Sequence, residues 1–224
     1  GSHLVTAAQI ADDELAVVSR SGTRIRDGIT ALGGSPAALA TARIAPGSVH
    51  GYLELHIEQG GTLDAAHIPI GVVEGIVGLR QWEVTIDGFA NHAGTTPMAE
   101  RRDAMLAAAR FTEMVHRVVT SQPGRQVGTV GRMQAFPGAP NVIPGHVVCS
   151  LELRDLDAAV ITRLYDTIRK EATQIAQDTG TTFAYSPLTV HEPALCHPAV
   201  QSLIAACATA RGLASRTLPS GAGH

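Results

Sequence analysis

The stretch Gln81-Trp82-Glu83-Val84-Thr85-Ile86-Asp87-Gly88 alternates polar and apolar side chains, with Trp82, Val84 and Ile86 on one side. Successive side chains of a strand point to opposite faces, so this period of two predicts a half-buried strand. Downstream, Thr96-Pro97 reads as a helix start, with Thr96 as cap and Pro97 at the first helical position. Ala104, Ala108, Phe111, Val115 and Val118 then recur at spacings of three and four, which predicts a long amphipathic helix. Two further strands are expected over 126–134 and 146–154. In the second, Val147, Cys149, Leu151 and Leu153 alternate against Val148, Ser150, Glu152 and Arg154. The Pro- and Gly-rich run 136–145 between them reads as a loop. A second helix is expected over about 156–178, with Val160, Leu164, Ile168 and Ile175 on one stripe and Gly180 placed to end it. Residues 181–185 read as a last strand. The order β-α-β-β-α-β is the ferredoxin-like pattern, which puts both helices on one face of an antiparallel sheet.

The flanks read differently. Before this unit lie a helix-like segment over 23–32, a Gly/Pro/Ala-rich stretch and a strand expected over 52–58. After it Pro198 opens a helix to about residue 210, and 213–218 leads into Ser220-Gly221-Ala222-Gly223-His224. A metal-binding residue type at the last position, just after a Gly-rich turn, reads as a cut through a domain. At 224 residues the chain is long enough for one large domain or two modest ones. Its net charge of −3, with no basic stripe interleaved with aromatics, argues against a nucleic-acid partner. Its apolar runs fall short of the roughly 20 residues that span a bilayer. No secretory n-region and h-region open it, and Cys149, Cys196 and Cys207 fit neither a disulfide framework nor a metal knuckle. Reduced thiols and a cytoplasmic location are expected.

Four segments carry residues suited to chemistry. In a strand, Glu54, His56 and Glu58 project together while Leu53, Leu55 and Ile57 point into a core. An imidazole flanked by carboxylates suits a metal, though a solvated polar face with an incidental His fits the local pattern as well. In Asn91-His92-Ala93-Gly94-Thr95-Thr96-Pro97-Met98, small neighbours leave the His92 ring accessible, and the nearby helix N-terminus suits an anion; the plain alternative is local capping. Arg154 ends a strand on its polar face and Asn141 lies in the preceding loop. Arg can clamp a carboxylate bidentately and Asn both donates and accepts, while a surface pair of Arg154 with Asp155 or Asp157 is the alternative. Finally, two glycines precede His224, and glycine lets backbone approach a ligand closely.

Taken in order, Glu54-Leu55-His56-Ile57-Glu58-Gln59-Gly60, Gly88-Phe89-Ala90-Asn91-His92-Ala93-Gly94-Thr95-Thr96-Pro97-Met98 with Arg101-Arg102-Asp103, Asn141-Val142-Ile143-Pro144-Gly145, Leu153-Arg154-Asp155 and Ser220-Gly221-Ala222-Gly223-His224 form a pattern. With these motifs the chain resembles the hydantoinase/carbamoylase family of amidases. That family comprises N-carbamoyl-L-amino acid hydrolases, allantoate amidohydrolases and β-ureidopropionases within the dinuclear-metal M20-like group. The resemblance implies an α/β (α+β) architecture, in which a metallo-aminopeptidase-like α/β domain is interrupted by a ferredoxin-like lid and dimerisation domain. On this sequence that means 1–77 in the catalytic domain, 78–190 in the lid and 191–224 returning to the catalytic domain.

The resemblance also assigns roles. His56 and His224 match metal ligands. His92 matches a lid residue that reaches the partner subunit's site and polarises the scissile carbonyl. Asn141 and Arg154 match residues that hold the ureido and carboxylate groups, and Gln59 and Gly223 match further substrate contacts. The implied partners are a small ureido substrate and a second copy bound through the lid. The implied cofactors are two divalent ions (Zn2+, Mn2+ or Ni2+), which activate water in such sites. The family's N-terminal motifs, with another metal His, a bridging Asp and the Glu general base, have no counterpart before His56. The chain is therefore expected to be a fragment that binds metal poorly and does not turn over alone. A non-catalytic dimerisation and substrate-binding module, or an M20-type aminoacylase or peptidase, are the competing readings.

Overall fold

The computed structural model describes residues 12–42, 44–45 and 47–221, which fall into two units, 12–57 and 58–221. The first unit holds two short helices, α1 (Asp12–Ala16) and α2 (Ile25–Ala31), and a 3-10 helix (Pro36–Ala42). The strand expected over 52–58 does not form; those residues pair with no strand among the described residues. A lone extended segment gains no ladder hydrogen bonds, and its alternate side chains have no second layer to pack against. Leu53, Leu55 and Ile57, expected in a core, are instead 73%, 99% and 77% exposed.

In the second unit, the short helix α3 (Thr62–Ala65) leads into strand β1 (Ile70–Ile76) and the ten-residue strand β2 (Gly78–Asp87). The two-residue strand β3 (Asn91–His92) and a 3-10 turn (Met98–Glu100) precede helix α4 (Ala104–Thr120). Strands β4 (Val127–Thr129), β5 (Met133–Phe136), β6 (Val142–Ile143) and β7 (His146–Asp155) follow. Helix α5 (Ala158–Thr179), strands β8 (Thr182–His191) and β9 (Ala194–Leu195), helix α6 (Pro198–Ala210) and strand β10 (Ser215–Ser220) complete the chain.

The main sheet has the order β4-β7-β2-β8, all antiparallel, with β5 also on β7. This is the ferredoxin-like arrangement that the β-α-β-β-α-β order predicts. The strand expected over 126–134 is two pieces. Between them Ser150 N–H donates to Arg132 O and Ser150 Oγ accepts from Arg132 N–H, each at 3.0 Å, which interrupts the ladder. Trp82, Val84 and Ile86 of β2 and Val147, Cys149, Leu151 and Leu153 of β7 bury one face against both helices. Ala104, Ala108, Phe111, Val115 and Val118 of α4 and Ile161, Leu164 and Ile168 of α5 complete that core. Gly180 caps α5 in the left-handed region, φ 64°, where a side chain would be strained. The other face of the sheet is polar. A smaller sheet, β10-β1-β9, pairs β1 parallel to β10 and packs against α6.

Helix α4 starts seven residues later than the Thr96-Pro97 signal suggests. Pro97 is extended (φ −57°, ψ 145°), and the cap is Asp103, whose Oδ1 accepts from Met105 N–H at 2.9 Å and Leu106 N–H at 3.1 Å. Thr96 serves the loop before it instead.

Candidate functional site

The loop after β2 crosses to the 142–143 segment and pairs with it. Asn91 lies opposite Ile143 and His92 opposite Val142, and Ala93 N–H donates to Asn141 O at 2.9 Å. Two features hold this small ladder to the sheet. Ile143 is buried, and a Cβ on Gly145 would lie 2.4 Å from Ala90 N, so only glycine permits the close crossing there. The pairing brings His92 and Asn141, far apart in sequence, to neighbouring positions of one small ladder, both exposed.

His92 is oriented from all sides. Its backbone N–H donates to Asn91 Oδ1 at 2.8 Å, and its carbonyl accepts from Thr96 Oγ1 at 2.7 Å and Thr96 N–H at 3.2 Å. Arg101 closes the loop, donating from Nη2 to Ala93 O at 2.6 Å and from Nε to Thr96 O at 3.2 Å. The ring nitrogen Nδ1 accepts the Gly94 N–H at 3.0 Å. An Nδ1 that accepts leaves the proton of the neutral ring on Nε2, so the ring presents an N–H donor to the outside. Such a donor is suited to a carbonyl oxygen that gains negative charge.

Arg154 sits at the other end of β7. His146 to Arg154 is eight residues of strand, or about 27 Å. Within one chain, therefore, Arg154 does not approach the His92–Asn141 pair, and the two cannot grip one small molecule. Arg154 meets instead the start of the terminal motif: its Nη1 donates to Gly221 O at 2.6 Å and its Nε to Glu152 Oε1 at 2.6 Å. Gln81 Nε2 donates to the other Glu152 oxygen. Partial burial pushes the Glu152 carboxyl up, but the Arg154 and Gln81 donors and the Arg154 charge outweigh it and hold it below the ordinary carboxylate value. Arg154 therefore pairs with neither Asp155 nor Asp157. Asp155 accepts from Asp157 N–H, and Asp157 caps α5 through Ala159 N–H, each at 2.8 Å.

The carboxylates expected around His56 disperse. Glu54 accepts from Tyr52 OH at 2.8 Å, which raises the Tyr52 phenol above its usual value. Glu58 accepts Thr62 N–H at 2.7 Å and Leu63 N–H at 3.0 Å, satisfying the start of α3. His56 Nδ1 lies 2.6 Å from Ile57 O, a contact that would leave Nε2 as the lone-pair nitrogen. Gln59 occupies the left-handed region at φ 54°, uncommon for a side-chain-bearing residue and frequent at functional turns. Gly223 and His224 lie outside the described residues. Among the described residues no three His, Cys, Asp or Glu side chains converge as metal ligands.

The sequence reading passed over Arg101, Thr96, Glu152 and Gln81. Glu152 was within reach, since it shares a face with Arg154 at i, i+2, and the β2–β7 register sets Gln81 opposite it.

Residues 75–179 match the model of the peptidase dimerisation domain of the M20 group. The N-carbamoyl-L-amino acid amidohydrolase of Geobacillus stearothermophilus is 38% identical over 203 residues, which is 91% of this chain and 49% of the relative. The allantoate amidohydrolase of Escherichia coli (strain K12) is 29% identical, across 100% of this chain and 54% of its own length. The crystal structure of a hydantoinase/carbamoylase family amidase from Burkholderia ambifaria superposes with a TM-score of 0.89 at 31% identity, over 100% of this chain and 54% of that one. Along its whole length the chain is similar to amidases of the hydantoinase/carbamoylase family. It spans about half the length of the curated family members it matches. The α/β architecture agrees with that family, and its relatives are named for hydrolysis of linear C–N bonds.

Proposed function

We propose that the protein acts in the hydrolysis of the linear amide C–N bond of N-carbamoyl amino acids or allantoate, as half of a site completed by a second copy. In this reaction water adds to the carbamoyl carbon, the C–N bond breaks, and the nitrogen leaves as the protonated amine. Carbamate is released and decomposes to CO2 and ammonia. His92 Nε2–H donates to the carbonyl oxygen as charge develops on it, and Asn141 holds the ureido group beside it. Arg154 takes the substrate carboxylate end-on. His56 and His224 are the candidate metal ligands and Gln59 and Gly223 the remaining substrate contacts, with residues 78–190 as lid. Two divalent ions, when bound, would activate the attacking water.

One observation carries this reading. His92, whose Nδ1 accepts the Gly94 N–H, lies in the same small ladder as the Asn141 segment, at the far end of a strand from Arg154, about 27 Å away. Groups so separated act on one small substrate only if His92 and Asn141 come from one protomer and Arg154 from its partner. The match to a dimerisation domain supports that arrangement. In the full-length gene product, His92→Ala should lower kcat by about 10²–10³-fold, and Arg154→Ala should raise KM for carboxylate substrates. At substrate concentrations far below the Arg154→Ala KM, mixing the two impaired variants should restore about a quarter of wild-type activity, since half the dimers are mixed and each has one intact site of two. Absence of any restoration after subunit exchange would sink the shared-site reading.

A second reading, a non-catalytic dimerisation and binding module, is favoured by the family-model match covering 75–179. It predicts a dimer that binds N-carbamoyl amino acids without consuming them.

A further inference from the structure

We infer that Glu152, braced by Gln81, is a positioning residue that sets the direction of the Arg154 guanidinium and so governs affinity for carboxylate-bearing substrates. The inference rests on the reading of Arg154 as the substrate-carboxylate anchor. Glu152 and Arg154 stand two apart on the open polar face of β7, and Gln81 lies opposite Glu152 across the β2–β7 ladder. Each Glu152 oxygen has its own donor: Oε1 takes Arg154 Nε–H at 2.6 Å and Oε2 takes Gln81 Nε2. The carboxylate is therefore held at both oxygens, and it holds the guanidinium in turn.

Guanidinium carries five N–H donors in a rigid planar fork. Here the Nε–H goes to Glu152 and one Nη1–H to Gly221 O at 2.6 Å. With Nε–H taken, the bidentate edge left to a ligand is the Nη1–Nη2 end, through Nη2 and the second Nη1–H. Without Glu152 the side chain has four rotatable bonds and two bidentate edges to offer, and binding must then supply the ordering. Glu152 also carries a charge that repels a substrate carboxylate. The two effects move KM in opposite directions, so their balance can be measured. With Glu152 already bonded and neutralised by Arg154, orientation outweighs repulsion.

The test compares Glu152→Ala, Glu152→Gln and Arg154→Ala in the full-length gene product, with an N-carbamoyl amino acid and a matched carbamoyl amine lacking the carboxylate. Glu152→Ala should raise KM for the acid about tenfold, equivalent to about 1.4 kcal/mol, with kcat changed less than about twofold. KM for the carbamoyl amine should not move. Glu152→Gln keeps an acceptor oxygen for Nε and should recover most of the loss. A KM for the acid that falls or stays unchanged in Glu152→Ala overturns the inference. If Arg154→Ala itself leaves that KM unchanged, the anchor reading has failed, and this inference with it. Should the alanine variant fold poorly, NMR on this chain decides. The Arg154 Nε–H resonance, assigned by its loss in Arg154→Lys, should be protected from exchange in wild type and unprotected in Glu152→Gln,Gln81→Ala. Equal protection in both overturns the inference.

Discussion

At the scale of single residues, Arg101 shows how a side chain outside the reacting groups can set their geometry. Its guanidinium bridges two carbonyls of the His92 loop, Ala93 O and Thr96 O, and Thr96 in turn bonds the His92 carbonyl. A lysine ammonium is a point charge on a flexible stem and cannot serve both carbonyls in one plane. Arg101→Lys should therefore lower kcat/KM by at least about tenfold, since misplacing a group by about an ångström can cost 10²-fold. Global stability should change by less than about 1 kcal/mol, because the loop can open without disturbing the core. Unchanged kcat/KM would mean that the clamp positions nothing. The accessible His92 was legible from its small neighbours, but its tautomer was not, because the Gly94 N–H that fixes it depends on the turn's actual path. Arg154 was legible as a polar-face cation. The alternative pairing with Asp155 or Asp157 does not form, since the strand's alternation sends Asp155 to the opposite face and Arg154 bonds Glu152 on its own face.

Elements obey the pattern where it is long and falter where it is local. The alternation in β2 and β7 and the helical stripes of α4 and α5 were read with few errors, because burying one face against the other leaves each side chain only one register. The start of α4 was not. Thr96-Pro97 and Asp103 are both adequate caps on local chemistry, and the choice falls to tertiary structure, where the isolated bridge between Phe89 and Arg102 keeps the chain extended until Asp103. The consequence is measurable. Asp103→Ala removes an acceptor for two N–H groups and should cost about 1 kcal/mol in denaturant unfolding, whereas Thr96→Ala should cost less than about 0.5 kcal/mol. Equal costs, or a larger one at Thr96, would return the helix start to residue 97. The segment over 52–58 failed for the complementary reason: alternation describes a strand's faces but not its partner, and without a partner Leu55 stays in water.

For the whole molecule, the question is what 224 residues can hold. The ferredoxin-like unit closes its own core, and its fold needs no ligand to complete it. The metal centre stands otherwise. His56 is one candidate ligand among the described residues, Glu54 and Glu58 are engaged elsewhere, and no group of three metal-binding side chains converges there. A catalytic zinc site normally takes three protein ligands, and the His56 and His224 pair supplies two. We expect this chain alone to bind zinc or manganese weakly and to hydrolyse no N-carbamoyl amino acid. Thermal unfolding gives a sensitive check. Metal at 1,000 times its Kd would stabilise the folded state by about 4.1 kcal/mol. At about 2–4 °C per kcal/mol for a chain of this size, that would raise Tm by about 8–16 °C. Melts with and without zinc should coincide, and dialysed protein should carry well under one ion per chain by elemental analysis. A zinc-dependent rise of that order, or close to two ions per chain with turnover, would mean that the motifs from Glu54 to His224 assemble a working centre, and that the expectation drawn from ligand number is wrong.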